Sequence, residues 1–121
     1  MVLIDDSIVR GTTLKGIVSL IREAGAKEIH VRVAAPPFMH PCYYGTDIDS
    51  EAHLIACRHP VNEIAALLGM DSLGYFPVAR LSELTGGGNY CDACFSGRYA
   101  TAIPDDPRKD RFEQRLSEIG K

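Results

Sequence analysis

No apolar run in this sequence approaches the roughly 20 residues that a membrane-crossing helix needs, and no basic stretch leads into a long apolar one at the N-terminus. Neither a membrane span nor a secretory leader is expected on that reading, and a cytoplasmic protein is. Net charge is also small, -3, with a pI near 5.7. No broad basic surface is available to hold a nucleic acid backbone or an anionic membrane, so neither is an expected partner. There is no internal repeat. The 121 residues are 45% hydrophobic and 24% charged, enough apolar material for one modest core, hence one domain or part of one. The four cysteines, Cys42, Cys57, Cys91 and Cys94, read as thiols or metal ligands in a reducing compartment rather than as disulfides.

Apolar periodicity indicates an α/β chain. Val2-Leu3-Ile4 is a short buried-strand pattern that runs straight into Asp5 and Asp6. From Thr12 to Ala24, Leu14, Ile17, Val18, Leu20 and Ile21 recur at helical spacing, with Gly25 placed to end the helix. Glu28 to Ala35 alternates and is β-branched, and Pro36-Pro37 terminates it. A strand, a helix and a strand in this order mark a parallel sheet. Ser50 to Ala56 reads as a short capped helix, and Pro60 to Leu68 as another with proline in its first turn. A strand is predicted over Ser72 to Val78 and a short helix over Val78 to Leu84, before a loop at Gly86-Gly87-Gly88. The charged tail from Asp105 to Lys121, with Phe112, Leu116 and Ile119 at helical spacing, reads as a surface helix or a frayed end.

The strongest local signal is the string from Val2 to Thr13. An apolar strand delivers two adjacent carboxylates, Asp5 and Asp6, to its C-terminal end, where open α/β sheets bind ligands. The turn that follows, with Ser7, Arg10, Gly11, Thr12 and Thr13, offers hydroxyls and a helix N-terminus to an anion. It is not a Walker loop, for no Gly-Lys-Ser/Thr follows, and the three-glycine dinucleotide fingerprint is absent. An isolated Asp-Asp pair usually does no more than end a strand, and a lone Ser or Thr no more than cap a helix. The whole string resembles the binding motif of type I phosphoribosyltransferases. By that resemblance Asp5 and Asp6 meet the ribose hydroxyls and Mg2+, while Ser7, Arg10, Gly11, Thr12 and Thr13 hold the 5-phosphate.

Cys91-Asp92-Ala93-Cys94, taken alone, is open between a zinc half-site, a pair of iron–sulfur ligands and a redox motif. Cys42 lies far upstream in His40-Pro41-Cys42-Tyr43-Tyr44-Gly45-Thr46-Asp47. Cys57 reads by default as a small buried thiol. His30 and His53 read as packing or surface residues, and His40 and His59 flank turns without a nameable partner.

The segments 40–47, 50–56, 61–64 and 91–99, in this order behind the opening string, resemble the iron–sulfur subclass of glutamine phosphoribosylpyrophosphate amidotransferases. The resemblance runs over residues 1–103 and leaves 104–121 as a charged C-terminal tail. It implies the C-terminal part of a type I phosphoribosyltransferase fold with a helical extension. It also implies that Cys42, Cys91 and Cys94 are three ligands of a [4Fe-4S] cluster whose fourth lies outside this chain, with Tyr43, Tyr44, Phe95 and Tyr99 as apolar cover. The implied parent enzyme takes phosphoribosylpyrophosphate and glutamine to 5-phosphoribosylamine, glutamate and pyrophosphate, and assembles with copies of itself. The glutaminase nucleophile of that family has no counterpart here, so this chain is expected to be an incomplete, inactive piece that needs the remainder of the enzyme. Two rival readings are a non-catalytic phosphoribosyl-binding module and a zinc-stabilised interaction domain with Cys42, Cys57, Cys91 and Cys94 as ligands.

Overall fold

Strand β1 (Val2–Asp5) leads through a loop that ends at Gly11 into helix α1 (Thr12–Glu23), and the chain returns as β2 (His30–Val33). A 3-10 turn (Glu51–His53) and helices α2 (Ile55–Arg58) and α3 (Val61–Leu68) then carry it to β3 (Ser72–Tyr75). A second 3-10 turn (Val78–Arg80), α4 (Leu81–Leu84) and α5 (Ala93–Ser96) follow. The computed structural model describes residues 1–48, 50–88 and 90–105. The predicted C-terminal tail helix lies outside these residues.

The strands form a parallel sheet in the order β1-β2-β3, as the strand–helix–strand reading requires. Two right-handed crossovers made in the same direction place their helices on one face of such a sheet. Strand alternation then decides which side chains meet them. Leu3, Val31, Val33, Leu73 and Tyr75 join Leu14 and Val18 of α1 and Ile64 and Leu68 of α3 in one core. The opposite parity carries Val2, His30, Ser72, Ile4, Arg32 and Gly74. There Val2 and Ile4 stay 66% and 68% exposed, unusual for a parallel sheet, which is normally covered on both faces. A smaller core of Phe38, Cys42, Ile48 and Leu54, with Val9, Cys94 and Phe95 against it, lies beyond the strand ends.

Several boundaries differ from the sequence expectation for identifiable reasons. The predicted helix over Ser50 to Ala56 is two pieces, because Leu54 adopts an extended backbone and is fully buried between them. Pro60 precedes α3 instead of lying inside it. β2 is shorter than Glu28 to Ala35: beyond Val33, the Ala34 and Ala35 N–H groups bond to the Asp5 and Asp6 carbonyls outside the regular ladder. Helix α5 was not anticipated.

Candidate functional site

The Asp5–Thr13 string forms one wall of an open cleft of about 530 Å³ at the C-terminal end of β1. Asp5, Asp6, Ser7, Arg10, Gly11, Thr12 and Thr13 all line it, so the structure brings together every residue of the acidic pair and the loop. The loop is fixed from below. Ile8 is buried in the main core, and the Val9 carbonyl accepts from the Ile55 N–H at 3.0 Å. Gly11 has φ +80°, a left-handed conformation that glycine adopts without strain, and a Cβ there would lie 3.1 Å from methyls of Ile55 and Leu68. The chain can therefore turn into α1 directly against the core.

No side chain caps α1, and its first turn has no acidic residue. Its first N–H groups and the positive end of its dipole are left to the cleft, an arrangement suited to an anion. The acids keep open acceptors. Asp5 Oδ1 accepts from the Asp6 N–H at 3.0 Å, and Asp6 Oδ1 from the Ser7 hydroxyl at 3.2 Å. Among the described residues no group of three or more His, Cys, Asp or Glu side chains is arranged to hold a metal ion. Two adjacent carboxylates suit Mg2+, which commonly keeps its waters and takes its remaining oxygens from a bound phosphate compound.

One charged residue from outside the loop and α1 also lines the cleft, Asp47, to which the sequence motif assigned no role. It ends the string that begins at His40, which was its only sequence signal.

Cys42 and Cys94 pack together at a second pole, and Cys91 lies near enough to act on the Cys94 thiol, but among the described residues the three do not form a metal-holding group. Cys91 and Cys94 flank the start of α5, whose Cys94 carbonyl accepts the N–H groups of Met39 and His40 at 2.9 and 3.0 Å. This ties the segment beside Cys42 to α5, and Cys42 and Cys94 pack in the same small core. Burial raises the Cys94 thiol above its ordinary range, and the neighbouring Cys42 raises it further; Cys91 and Asp92 act in the same sense. The Tyr44 N–H donates to Cys42 Sγ at 3.4 Å. Phe38 stacks on Phe95 at 4.9 Å, and Tyr99 lies 5.0 Å from Tyr43, its hydroxyl donating to the Pro41 carbonyl. These rings pack on one another beside the cysteine segments, although Tyr44 is exposed. Gly97 closes the turn at φ +74°, with the His40 ring 2.9 Å from where a Cβ would stand.

Cys57 is exposed, not buried as its residue type suggested. Its thiol points at the Phe38 and Met39 carbonyls, 3.9 and 3.2 Å away, and its pKa is raised by burial of its immediate surroundings and then by Glu51. The histidines also have partners that the sequence did not reveal: His40 meets Glu51 at 3.4 Å, and His59 meets Glu63 at 3.1 Å.

No family model matches the chain. It is 46% identical to an amidophosphoribosyltransferase of Synechococcus elongatus over 112 residues, 91% of this chain and 23% of that one. The chloroplastic amidophosphoribosyltransferase of Glycine max is 52% identical over 101 residues, 82% of this chain and 18% of that one. Among solved structures, the glutamine phosphoribosylpyrophosphate amidotransferase of B. subtilis, complexed with ADP and GMP, superposes with a TM-score of 0.73 at 46% identity. That match covers 87% of this chain and 24% of the other.

Proposed function

This chain belongs with the amidophosphoribosyltransferases, of whose length it spans about a quarter, and on that footing we propose that it carries the ribose-phosphate loop of such an enzyme. The parent reaction joins ammonia released from glutamine to phosphoribosylpyrophosphate, giving 5-phosphoribosylamine, glutamate and pyrophosphate. The observation that carries the reading is the single cleft in which Asp5 and Asp6 stand beside an uncapped helix start lined with hydroxyls. Ser7, Arg10, Gly11, Thr12 and Thr13 hold the 5-phosphate, by backbone N–H groups, hydroxyls and the guanidinium. Asp5 and Asp6 take the ribose hydroxyls and the Mg2+ that escorts the pyrophosphate. As pyrophosphate leaves, positive charge grows near the ribose C1, and carboxylates fixed beforehand next to the ring stabilise it without rearranging. Mg2+, when bound, supplies charge neutralisation on the departing group.

Cys42, Cys91 and Cys94 would hold a [4Fe-4S] cluster together with a ligand from elsewhere. Cys42 beside Cys94, a backbone N–H to sulfur and aromatic rings alongside support that reading, with Cys91 and the outside ligand closing the set on binding. Its role here is structural, for the transfer chemistry moves no electrons through the protein. Cys57, directed at two carbonyls, is poorly disposed to join the other three in a four-thiolate zinc site.

The partner assigned to this segment is the remainder of such an enzyme. The edge of β1 that stays unpaired among the described residues, with its exposed Val2 and Ile4, offers that remainder a strand to extend and a face to cover. Four free thiols suit a reducing compartment such as the cytoplasm.

The test is made in an enzyme of full family length carrying this segment. Asp5→Asn and Asp6→Asn should each lower phosphoribosylamine synthesis by on the order of 100-fold, while glutamine hydrolysis is largely kept. Unchanged synthesis in both variants would return the two acids to the status of strand-end residues.

A further inference from the structure

Asp47 enters the phosphoribosyl cleft from a different part of the chain than the loop, and three observations bear on what it does there. Its backbone is held in place. The Cys42 N–H donates to the Ile48 carbonyl at 2.9 Å, the Ile48 N–H donates to the Thr46 carbonyl at 2.9 Å, and Ile48 is buried in the small core. Its carboxylate is exposed and has no hydrogen-bond or ion-pair partner among the described residues. Nor does it close with Asp5 and Asp6 into a three-carboxylate metal site. It therefore stands apart from the acidic pair, as an unused acceptor on a fixed support.

We propose that Asp47 is a positioning residue that selects a hydroxyl-bearing phosphate compound over bare phosphate. An ionised carboxylate only accepts hydrogen bonds, so whatever meets Asp47 must present a hydroxyl, an amine N–H or a metal-bound water. A sugar phosphate seated with its phosphate at α1 has such groups at its other end. Inorganic phosphate has no hydroxyl remote from its charge to reach Asp47 from α1, and its own charge is repelled by the carboxylate. Asp47 thus contributes to orientation of the sugar, while Thr12, Thr13 and the helix start contribute to retention of the phosphate. The inference rests on the reading of this cleft as the phosphoribosyl site.

Calorimetric titrations with ribose 5-phosphate and, separately, inorganic phosphate, both with Mg2+, test it on the chain as it stands. Asp47→Ala should weaken ribose 5-phosphate binding about 10-fold or more, the usual loss for a hydrogen bond to a charged group, and leave phosphate binding equal or tighter. Asp47→Asn, which keeps an acceptor, should fall between. A purely structural role would move both ligands together. Equal weakening of both ligands in Asp47→Ala, or no change in either, overturns the proposal while an effect of Asp5→Asn on ribose 5-phosphate keeps the cleft assignment standing. If the unaltered chain binds neither ligand, the cleft assignment fails and the role of Asp47 fails with it.

Discussion

Gly11 shows what a single residue does to the loop. Its identity was legible in the motif, but the reason for it was not: the positive φ and the methyls of Ile55 and Leu68 come from chain segments far along the sequence. A side chain in the left-handed region costs on the order of 1–3 kcal/mol. Gly11→Ala should therefore lower the free energy of unfolding in urea by about that much, and disturb the cleft amides in the same variant. Tyr75 poses the opposite problem. Its hydroxyl is buried with no partner among the described residues, and burial pushes its pKa up to about 12. An orphaned buried hydroxyl destabilises, so Tyr75→Phe should match or exceed the parent in stability at neutral pH, measured by the same urea titration. The folded-state pKa lies above the ordinary value of 10.0, so the protonated phenol's contribution is complete below pH 10 and lost as pH rises toward 12. The alkaline loss attributable to this group should be missing in Tyr75→Phe. Cys57 illustrates the limit of reading by residue type, since its exposure follows from where α2 sits and not from its chemistry.

At the scale of elements, α1 was the plainest feature of the sequence, because twelve residues allow the apolar stripe to repeat. Helices of four residues, such as α2, α4 and α5, are too short to show a period, which is why α5 was missed and the Ser50 to Ala56 helix was misjoined. What holds the elements together was not legible at all. Arg22 at the end of α1 donates to the Lys27 and Gly69 carbonyls and to Asp71 Oδ2, and the same Oδ2 accepts from the Ile29 N–H at 2.7 Å. One carboxylate thus joins α1 to the starts of β2 and β3. The Ile29 N–H, and then Arg22, hold the Asp71 carboxyl below its ordinary 3.8. A depressed carboxylate stabilises the fold above its unfolded pKa, and this contribution is lost as pH falls through the folded value. Asp71→Asn should accordingly melt at a lower temperature than the parent at pH 7, and the difference should close as the pH drops below 3.8. A gap independent of pH would mean that the junction is not carried by the charge of Asp71.

For the molecule as a whole, both groups of candidate residues were legible in the sequence, because short contiguous strings carry them. It could not show that the Cys42–Ile48 turn belongs to both, packing Cys42 beside Cys94 while presenting Asp47 to the cleft. Two consequences are measurable. Incubated with phosphoribosylpyrophosphate, Mg2+ and ammonium, the isolated chain should release no pyrophosphate above background, because it spans about a quarter of the length of the enzymes it resembles. Anaerobic reconstitution with iron and sulfide should give sulfide uptake and the broad visible absorbance of an iron–sulfur cluster, lost in Cys42→Ala and retained in Cys57→Ala. Stoichiometric zinc dependent on Cys57, without sulfide uptake, would replace the cluster with a four-thiolate site.

The central claim is that the loop between β1 and α1 binds the phosphoribosyl group. It is tested most directly by following the backbone amide resonances of the chain during titration with phosphoribosylpyrophosphate, with and without Mg2+. The account predicts saturable shifts concentrated at residues 6–13, strengthened by Mg2+ and abolished by Asp5→Asn combined with Asp6→Asn. Shifts centred elsewhere, or none at all from a folded chain, would contradict it.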